Sequence, residues 1–396
     1  MRNKVFYNKP EAACYGCHAC KAICPVNAIT MQSDEEGFLF PHIDSAKCIE
    51  CNACEKTCPT QESVITPLFY ETPTKVDAAW DKNETTRLDS TSGGVFSELA
   101  RTIINKGGII YGAAFDSVLK VRHIAIHSIE ELYLLRGSKY VQSDIDNVFE
   151  KIRSELKEGK KVLFSGTPCQ VGGLRAFLKK DYENLFTIDL VCHGVPSPSV
   201  FASHIKYIEE KYQSKVTDYK FRAKKRSGWR AYIMYIFEDG KKITNILGDD
   251  FYAQCFYRSL FNRKSCFTCE YSKGQRVGDI TLSDFWGSEN YSSVLKRQRK
   301  HGYNMVMCNT PKGEAWYKDV KSNVDNVTLS AEVAIKGDVR LRHTEKMPQQ
   351  REVMFRDYRN HGYDWLVKNK SFKRSWKSRL IPTRIKNIIR ELKSFT

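Results

Sequence analysis

Eight cysteines between positions 14 and 58 are the residues whose type and spacing speak most directly of chemistry. Cys14, Cys17, Cys20 and Cys24 follow C-x2-C-x2-C-x3-C and precede Pro25; Cys48, Cys51, Cys54 and Cys58 repeat the pattern and precede Pro59. Each cysteine of the first set recurs 34 positions later, an internal duplication within one small unit. Three thiolates on one tight loop reach three corners of an Fe4S4 cube, while the fourth points away and serves the cube of the other half. The spacing therefore predicts one cluster on Cys14, Cys17, Cys20 and Cys58, and a second on Cys48, Cys51, Cys54 and Cys24. Each proline lacks an N–H and turns the chain away from the sulfurs. Small residues (Gly16, Ala19, Ala53) let backbone N–H groups approach the sulfides. Zinc motifs seldom place three thiolates at this spacing and need no crossed fourth ligand. Adjacent thiols so spaced also bridge poorly as disulfides.

The rest of the chain must position these groups. Its 396 residues suggest two or three domains. A hydrophobic content of 41% with 28% charged residues is that of a soluble globular protein. No apolar run approaches the roughly 20 residues of a membrane span. No apolar core follows Met1-Arg2-Asn3-Lys4, so an export signal is not expected. Fourteen cysteines without such a signal point to a reducing, cytoplasmic compartment and to metal. The net charge is +17; residues 1–62 hold six Lys/Arg and eight Asp/Glu, which leaves +19 on the remaining 334. An acidic front thus precedes a strongly basic body. Such a body attracts an anionic cofactor, an acidic partner, a phosphorylated substrate or an anionic membrane surface. Nucleic acid is not expected, since zinc-finger spacing, an RNP1 sequence and an aromatic-basic stripe are all missing.

The pattern predicts an α+β protein. Residues 1–62 read as a two-cluster ferredoxin unit, with strand-like 28–31 and 38–40 about the turn Asp34-Glu35-Glu36-Gly37. Residues 63–76, with Pro67 and Pro73, read as a linker. A mixed-sheet body spans 77–345, its first part 77–163 and its second 164–345. It begins with a helix at 95–104 after Ser92-Gly93-Gly94, then strands at 109–115 and 121–127. A helix at 144–158, a buried strand at 162–166, a helix at 171–180 and a buried strand at 186–192 follow, a partly parallel arrangement. Beyond 215 the strands alternate in the manner of an antiparallel sheet. Residues 346–396 read as a basic tail, with a helix from Pro382 that sets Ile385, Ile388, Ile389 and Leu392 on one face. That tail suits either an anionic membrane surface or docking on its own body. No two glycines are separated by a single intervening residue, which excludes the G-x-G-x-x-G dinucleotide fingerprint, and no Walker A sequence exists.

Four further cysteines stand out. Cys169 follows one buried strand and Cys192 ends the next, so neighbouring parallel strands would bring both to one sheet edge. Cys266 and Cys269 form a C-x2-C pair. Four thiols from three loops suit one Fe4S4 cluster or an all-thiolate zinc site; the alternative is two buried free cysteines and an incomplete zinc pair. Cys255 and Cys308 lie in apolar runs and read as core.

The strings SGGVFS (92–97), GSKYVQS (137–143), FSGTPCQ (164–170), DLVCHGVPSP (189–198), the Cys266/Cys269 pair and GDITLSDFWG (278–287) occur in this order. Together they resemble the coenzyme F-420 hydrogenase/dehydrogenase beta-subunit family, over about residues 75–345. The resemblance implies an iron–sulfur flavoprotein oxidoreductase that passes electrons between clusters, FAD and a hydride carrier such as deazaflavin F-420. It implies a third [4Fe-4S] cluster on Cys169, Cys192, Cys266 and Cys269. It tilts Ser92, Gly93 and Gly94 towards a flavin or pyrophosphate site at a helix start, against an ordinary cap. It likewise gives Lys139 the task of stabilising negative charge on a reduced flavin, against that of a surface lysine. His193 either orients a ligand or shuttles a proton, or is a hydrogen-bonded loop residue. The basic run at 221–230 either grips an anionic substrate tail or is a solvated loop. A redox partner protein is expected at the front unit. The competing reading is a non-catalytic electron carrier or scaffold that serves a partner enzyme.

Overall fold

The computed structural model describes residues 11–370 except 226–227. The front unit is built around an antiparallel hairpin, β1 (Ile29–Ser33) and β2 (Leu39–Ile43), with Ile29 opposite Ile43. Asp34 makes its turn: Oδ1 accepts from the N–H of Glu36 at 3.1 Å and of Phe38 at 2.8 Å, the usual use of an aspartate there. The short helix Ala19–Ile23 precedes the hairpin, and the 3-10 turn Glu55–Thr57 takes the equivalent place in the second half.

The body rests on two sheets. Its strands are β3 (Lys75–Asp81), β4 (Ile109–Phe115), β5 (Val121–Ile126), β6 (Val162–Gly166), β7 (Leu185–Leu190), β8 (Val216–Lys225), β9 (Gly228–Phe237), β10 (Lys242–Ile246), β11 (Ile280–Asp284), β12 (Asn304–Cys308) and β13 (Val324–Ser330). Eight of them form one mixed sheet in the order β13-β3-β12-β11-β7-β6-β4-β5, and β10-β9-β8 form an antiparallel one. The central β4, β6, β7 and β11 are parallel. Val162, Leu163 and Phe164 of β6 are wholly buried, as strands covered on both faces must be. Asp189 of β7 stands opposite Gly166 of β6 and Thr281 of β11, so the C-terminal ends of β6 and β7 share one edge. That edge is where parallel sheets collect ligands.

Local signals set the helices that flank this edge. In Val95–Ile104, the residues Val95, Leu99, Ala100 and Ile103 are buried in one stripe against the sheet. The helix Pro168–Leu178 starts with a capping box between Thr167 and Gln170 and with proline in its first turn. It therefore begins three residues before the expected position, and Cys169 lies in its first turn instead of in a preceding loop.

Three other expectations are corrected. Residues 63–76 are packed, not a loose linker: they extend the helix Glu62–Ile65 through a 3-10 turn, bury Ile65, set Tyr70 under the Arg175 guanidinium at 4.3 Å, and enter β3 at Lys75. The expected tail starts too early, because the helical stretch Gln350–Lys370, kinked at Gly362 (φ 80°), buries Met354, Phe355, Tyr363 and Leu366 in the core shared with β8 and β9. The helix expected from Pro382 lies outside the described residues. Residues 221–225 are not a loop but part of β8. Phe221 and Ala223 face the core and Arg222 and Lys224 the other side, the period-two alternation of a strand.

Candidate functional site

The duplication of the front unit is visible in its backbone. Gly16 and His18 adopt φ of 66° and 65°; Glu50 and Asn52, each 34 positions on, adopt 55° and 56°. These left-handed turns give the two cysteine loops the same local bend. Cys14, Cys17, Cys20 and Cys58 are buried, whereas Cys24, Cys48 and Cys54 are partly open and Cys51 is exposed. Cys58 stands beside Cys14, Cys17 and Cys20, and Cys54 beside Cys24 and Cys51 as well as Cys20 and Cys58. N–H groups already point at sulfur: Gly16 to Cys14 Sγ at 3.3 Å and Ala28 to Cys24 Sγ at 3.2 Å. The buried four form an inner set and the other four an outer set.

The body thiols are placed by a buried polar clamp. Asp189 accepts from Arg276 Nη2 at 2.9 Å, from the Val277 and Gly278 N–H groups at 3.0 and 2.9 Å, and from Thr281 Oγ1 at 2.7 Å. Arg276 in turn donates to the carbonyls of Leu190 and Tyr271, both at 3.0 Å. It thereby ties the loop carrying Cys266 and Cys269 to the end of β7, two residues before Cys192. Cys169, Cys192, Cys266 and Cys269 line one small cavity. Gly194 N–H donates to Cys192 Sγ at 3.3 Å and Val195 N–H to Cys266 Sγ at 3.5 Å. Burial, then the neighbouring thiol charges, pushes Cys169, Cys266 and Cys269 up to about 12. A positively charged group in their midst would be needed to hold them as thiolates near neutrality. Two buried hydroxyls on the cavity wall, Tyr271 Oη and Ser265 Oγ, have no hydrogen-bond partner among the described residues. Among the described residues no three His, Cys, Asp or Glu side chains converge on a single-ion position. The four body thiols line this one cavity, a donor set of the kind that an Fe4S4 cube or an all-thiolate zinc site uses.

A cleft of about 1340 Å³ opens at the same sheet edge, above the roughly 300–1,000 Å³ of common small-molecule sites. Ser92, Gly94 and Lys139 line it. Gly93 does not: it packs against the backbone of Ala79 and Asn304. At the helix start, Val95 N–H donates to Asn304 Oδ1 at 3.2 Å, so that donor is already used. Lys139 is not a surface lysine. Its Nζ donates to the carbonyls of Leu134 and Arg136 at 2.9 and 3.0 Å, and burial pushes it down to about 7. Cys192, His193 and Arg340 line both the cleft and the thiol cavity. His193 Nε2 meets Ser259 Oγ at 3.2 Å and its Nδ1 faces Arg340 and Glu345.

Residues 159–331 match the model of the C terminus of the coenzyme F420 hydrogenase/dehydrogenase beta subunit, and residues 13–62 match that of the 4Fe-4S dicluster domain. The chain is thus similar to a 4Fe-4S dicluster domain over its front unit and to the C terminus of the F420 hydrogenase/dehydrogenase beta subunit over the middle of its body. Over 186 residues it is 25% identical to the F subunit of the F(420)H(2) dehydrogenase of Methanosarcina mazei, covering 45% of this chain and 53% of that protein. It thus spans about half the length of that relative. A chain of the F420-reducing [NiFe] hydrogenase complex from Methanosarcina barkeri aligns with a TM-score of 0.44 and 15% identity, over 78% of this chain and 95% of that one. The range similar to the dicluster model holds all eight front cysteines, and the range similar to the beta-subunit model holds Cys169, Cys192, Cys266 and Cys269. Ser92, Gly94 and Lys139 lie between the two matched ranges.

Several residues of the cleft carry little signal in the sequence. Arg222 of β8 donates to Asp284 Oδ2 at 2.9 Å and to Tyr140 Oη at 3.2 Å. Asp284 belongs to the beta-subunit string at 278–287, which is the signal that points to it. Lys224 donates to the carbonyls of Arg87 and Ser92, so the basic strand braces the loop before the helix Val95–Ile104. Lys296, Arg297, Arg299 and Lys300 form a basic rim of the cleft, which a reading centred on cysteines and glycines passes over.

Proposed function

We propose that the chain is an iron–sulfur flavoprotein oxidoreductase that passes electrons between an anionic hydride carrier, such as F-420, and a redox partner protein. The observation that carries this reading is continuity. The cleft shares Cys192, His193 and Arg340 with the four-thiol cavity, and that cavity shares Tyr15, the neighbour of Cys14, with the front unit. The Tyr15 and Tyr271 rings meet edge to face at 5.4 Å across the join. When bound, FAD would exchange a hydride as a pair and electrons singly, matching two-electron carriers to one-electron clusters. The chain's own groups would do the rest. Ser92 and Gly94 would support the cofactor at the helix start, and Lys139 would hold positive charge at the cleft wall. The basic rim would draw in an anionic carrier. Cys169, Cys192, Cys266 and Cys269 would hold a third cluster between the cleft and the inner set. The partially open outer set would face the partner. No helix among the described residues is long and apolar enough to cross a membrane; a peripheral contact through the basic tail rests on its sequence.

Anaerobically purified protein should contain about twelve iron per chain for three Fe4S4 clusters and release a flavin on denaturation. A count near eight would remove the body cluster. Absence of flavin would leave the electron-carrier reading. Reduction assays with F-420, NADH, NADPH, reduced ferredoxin and a quinone would then name the carrier. Flotation with anionic liposomes, with and without residues 372–396, tests the tail.

A further inference from the structure

Three arginines are among the largest fully buried side chains: Arg263, Arg276 and Arg351. Two of them have carboxylate partners, Arg276 with Asp189 at 2.9 Å and Arg351 with Glu36 at 2.6 Å. Arg263 has none within ion-pair distance among the described residues. Its donors meet neutral oxygens instead: Nε the Cys14 carbonyl at 2.7 Å, Nη2 the Leu39 carbonyl at 3.0 Å, and Nη1 the Gln142 side chain at 3.1 Å. Its guanidinium also lies 4.1 Å from the Phe40 ring centre. A buried cation without a compensating negative charge is strongly disfavoured, so hydrogen bonds alone leave this one unexplained.

Its position supplies the explanation. Arg263 lines the four-thiol cavity together with Cys169, Cys192, Cys266 and Cys269. On its other side it lies under the inner loop: a Cβ on Gly16 would sit 3.0 Å from Arg263 Nη1. Its backbone N–H is fixed to the Val195 carbonyl at 3.0 Å, just beyond Cys192. We infer that Arg263 is the internal countercation of the inner and body clusters, placed in the seam between them so that its charge favours their reduced forms. The inference rests on the three-cluster reading above. An oxidised cube with four thiolates carries about −2 and gains one more negative charge on reduction. A fixed positive neighbour therefore stabilises the reduced state more than the oxidised one. Net charge and surroundings are what set such potentials.

The test is an EPR-monitored redox titration of the full chain, with iron counted in every sample. R263Q removes the charge, R263K retains it, and Q142E leaves the arginine in place but gives it a carboxylate. At a fixed potential, R263Q and Q142E should lower the reduced-to-oxidised ratio of the body or inner cluster about tenfold, which is about 59 mV for a one-electron couple. R263K should stay within about threefold of the wild type at unchanged iron content. Should R263Q not fold, Q142E alone decides. Midpoints equal to wild type in R263Q or Q142E, at about twelve iron, would overturn the inference while leaving the three-cluster reading intact. A wild-type count near eight would instead sink that reading, and the body half of the inference with it.

Discussion

Lys139 lines the cleft and is held far from the ordinary range of a lysine. Burial holds it down to about 7, and Asp218 offsets this only in part. An unfolded lysine keeps its proton to about 10.4. Between about pH 10.4 and 7 the unfolded chain therefore binds a proton that the native chain lacks, so this residue's contribution to stability falls as pH drops across that window and is level below it. An anion beside Lys139 pulls the proton back on. On the proposed function, the affinity for FAD should thus fall as pH rises through 7, by at most about tenfold per pH unit for one coupled proton. Calorimetry in two buffers of different ionisation enthalpy should show proton uptake near pH 7.5, and K139M should abolish it. Cysteines give a second residue-level contrast. C192A should lose about four iron, while C255A, buried in the helix Phe251–Tyr257, should lose none by chemical assay.

At the scale of elements, the clamp between β7 and β11 is the feature to break. Asp189 and Arg276 are both fully buried, and removing one partner of such a pair costs about 3–5 kcal/mol. D189A should lower denaturant stability by that amount, and it should release body iron because Arg276 no longer ties Tyr271 to Leu190. Elements with strong local signals are legible in the sequence. The helix Val95–Ile104 and strands β4 and β6 lie where periodicity and apolar runs put them. What depends on distant partners is hidden there. Asp189 and Arg276 are 87 positions apart, and the helix Gln350–Lys370 owes its place to Glu36 and to the core around Phe201. Charge also misleads: Arg222 and Lys224 suggest a loop, though their alternation with Phe221 and Ala223 spells a strand. The start of the helix at Pro168 is encoded by Thr167 and Gln170, yet the same residues resemble a turn until their capping bonds are seen.

At the scale of the molecule, the front unit is not a tethered carrier but part of the core. Arg351 pairs with Glu36, Lys21 with Asp146 at 2.9 Å, and Gln142 donates to the Tyr15 carbonyl at 3.0 Å. Even a methyl group has no room at this join: a Cβ on Gly173 would lie 2.9 Å from Cys17 Sγ. Unfolding followed by cluster absorbance and by far-UV circular dichroism should coincide in the wild type. In R351M the two should separate, with the cluster signal lost first. The same burial leaves the two halves of the duplicated unit unequal. Ile49 is 60% exposed and Cys51 faces solvent, whereas the matching loop around Cys17 is sealed by the body. Dioxygen reaches sulfur by access, so a preparation opened to air should decay in two stages, shedding the solvent-facing cube within the first and keeping the enclosed one as a longer-lived remnant.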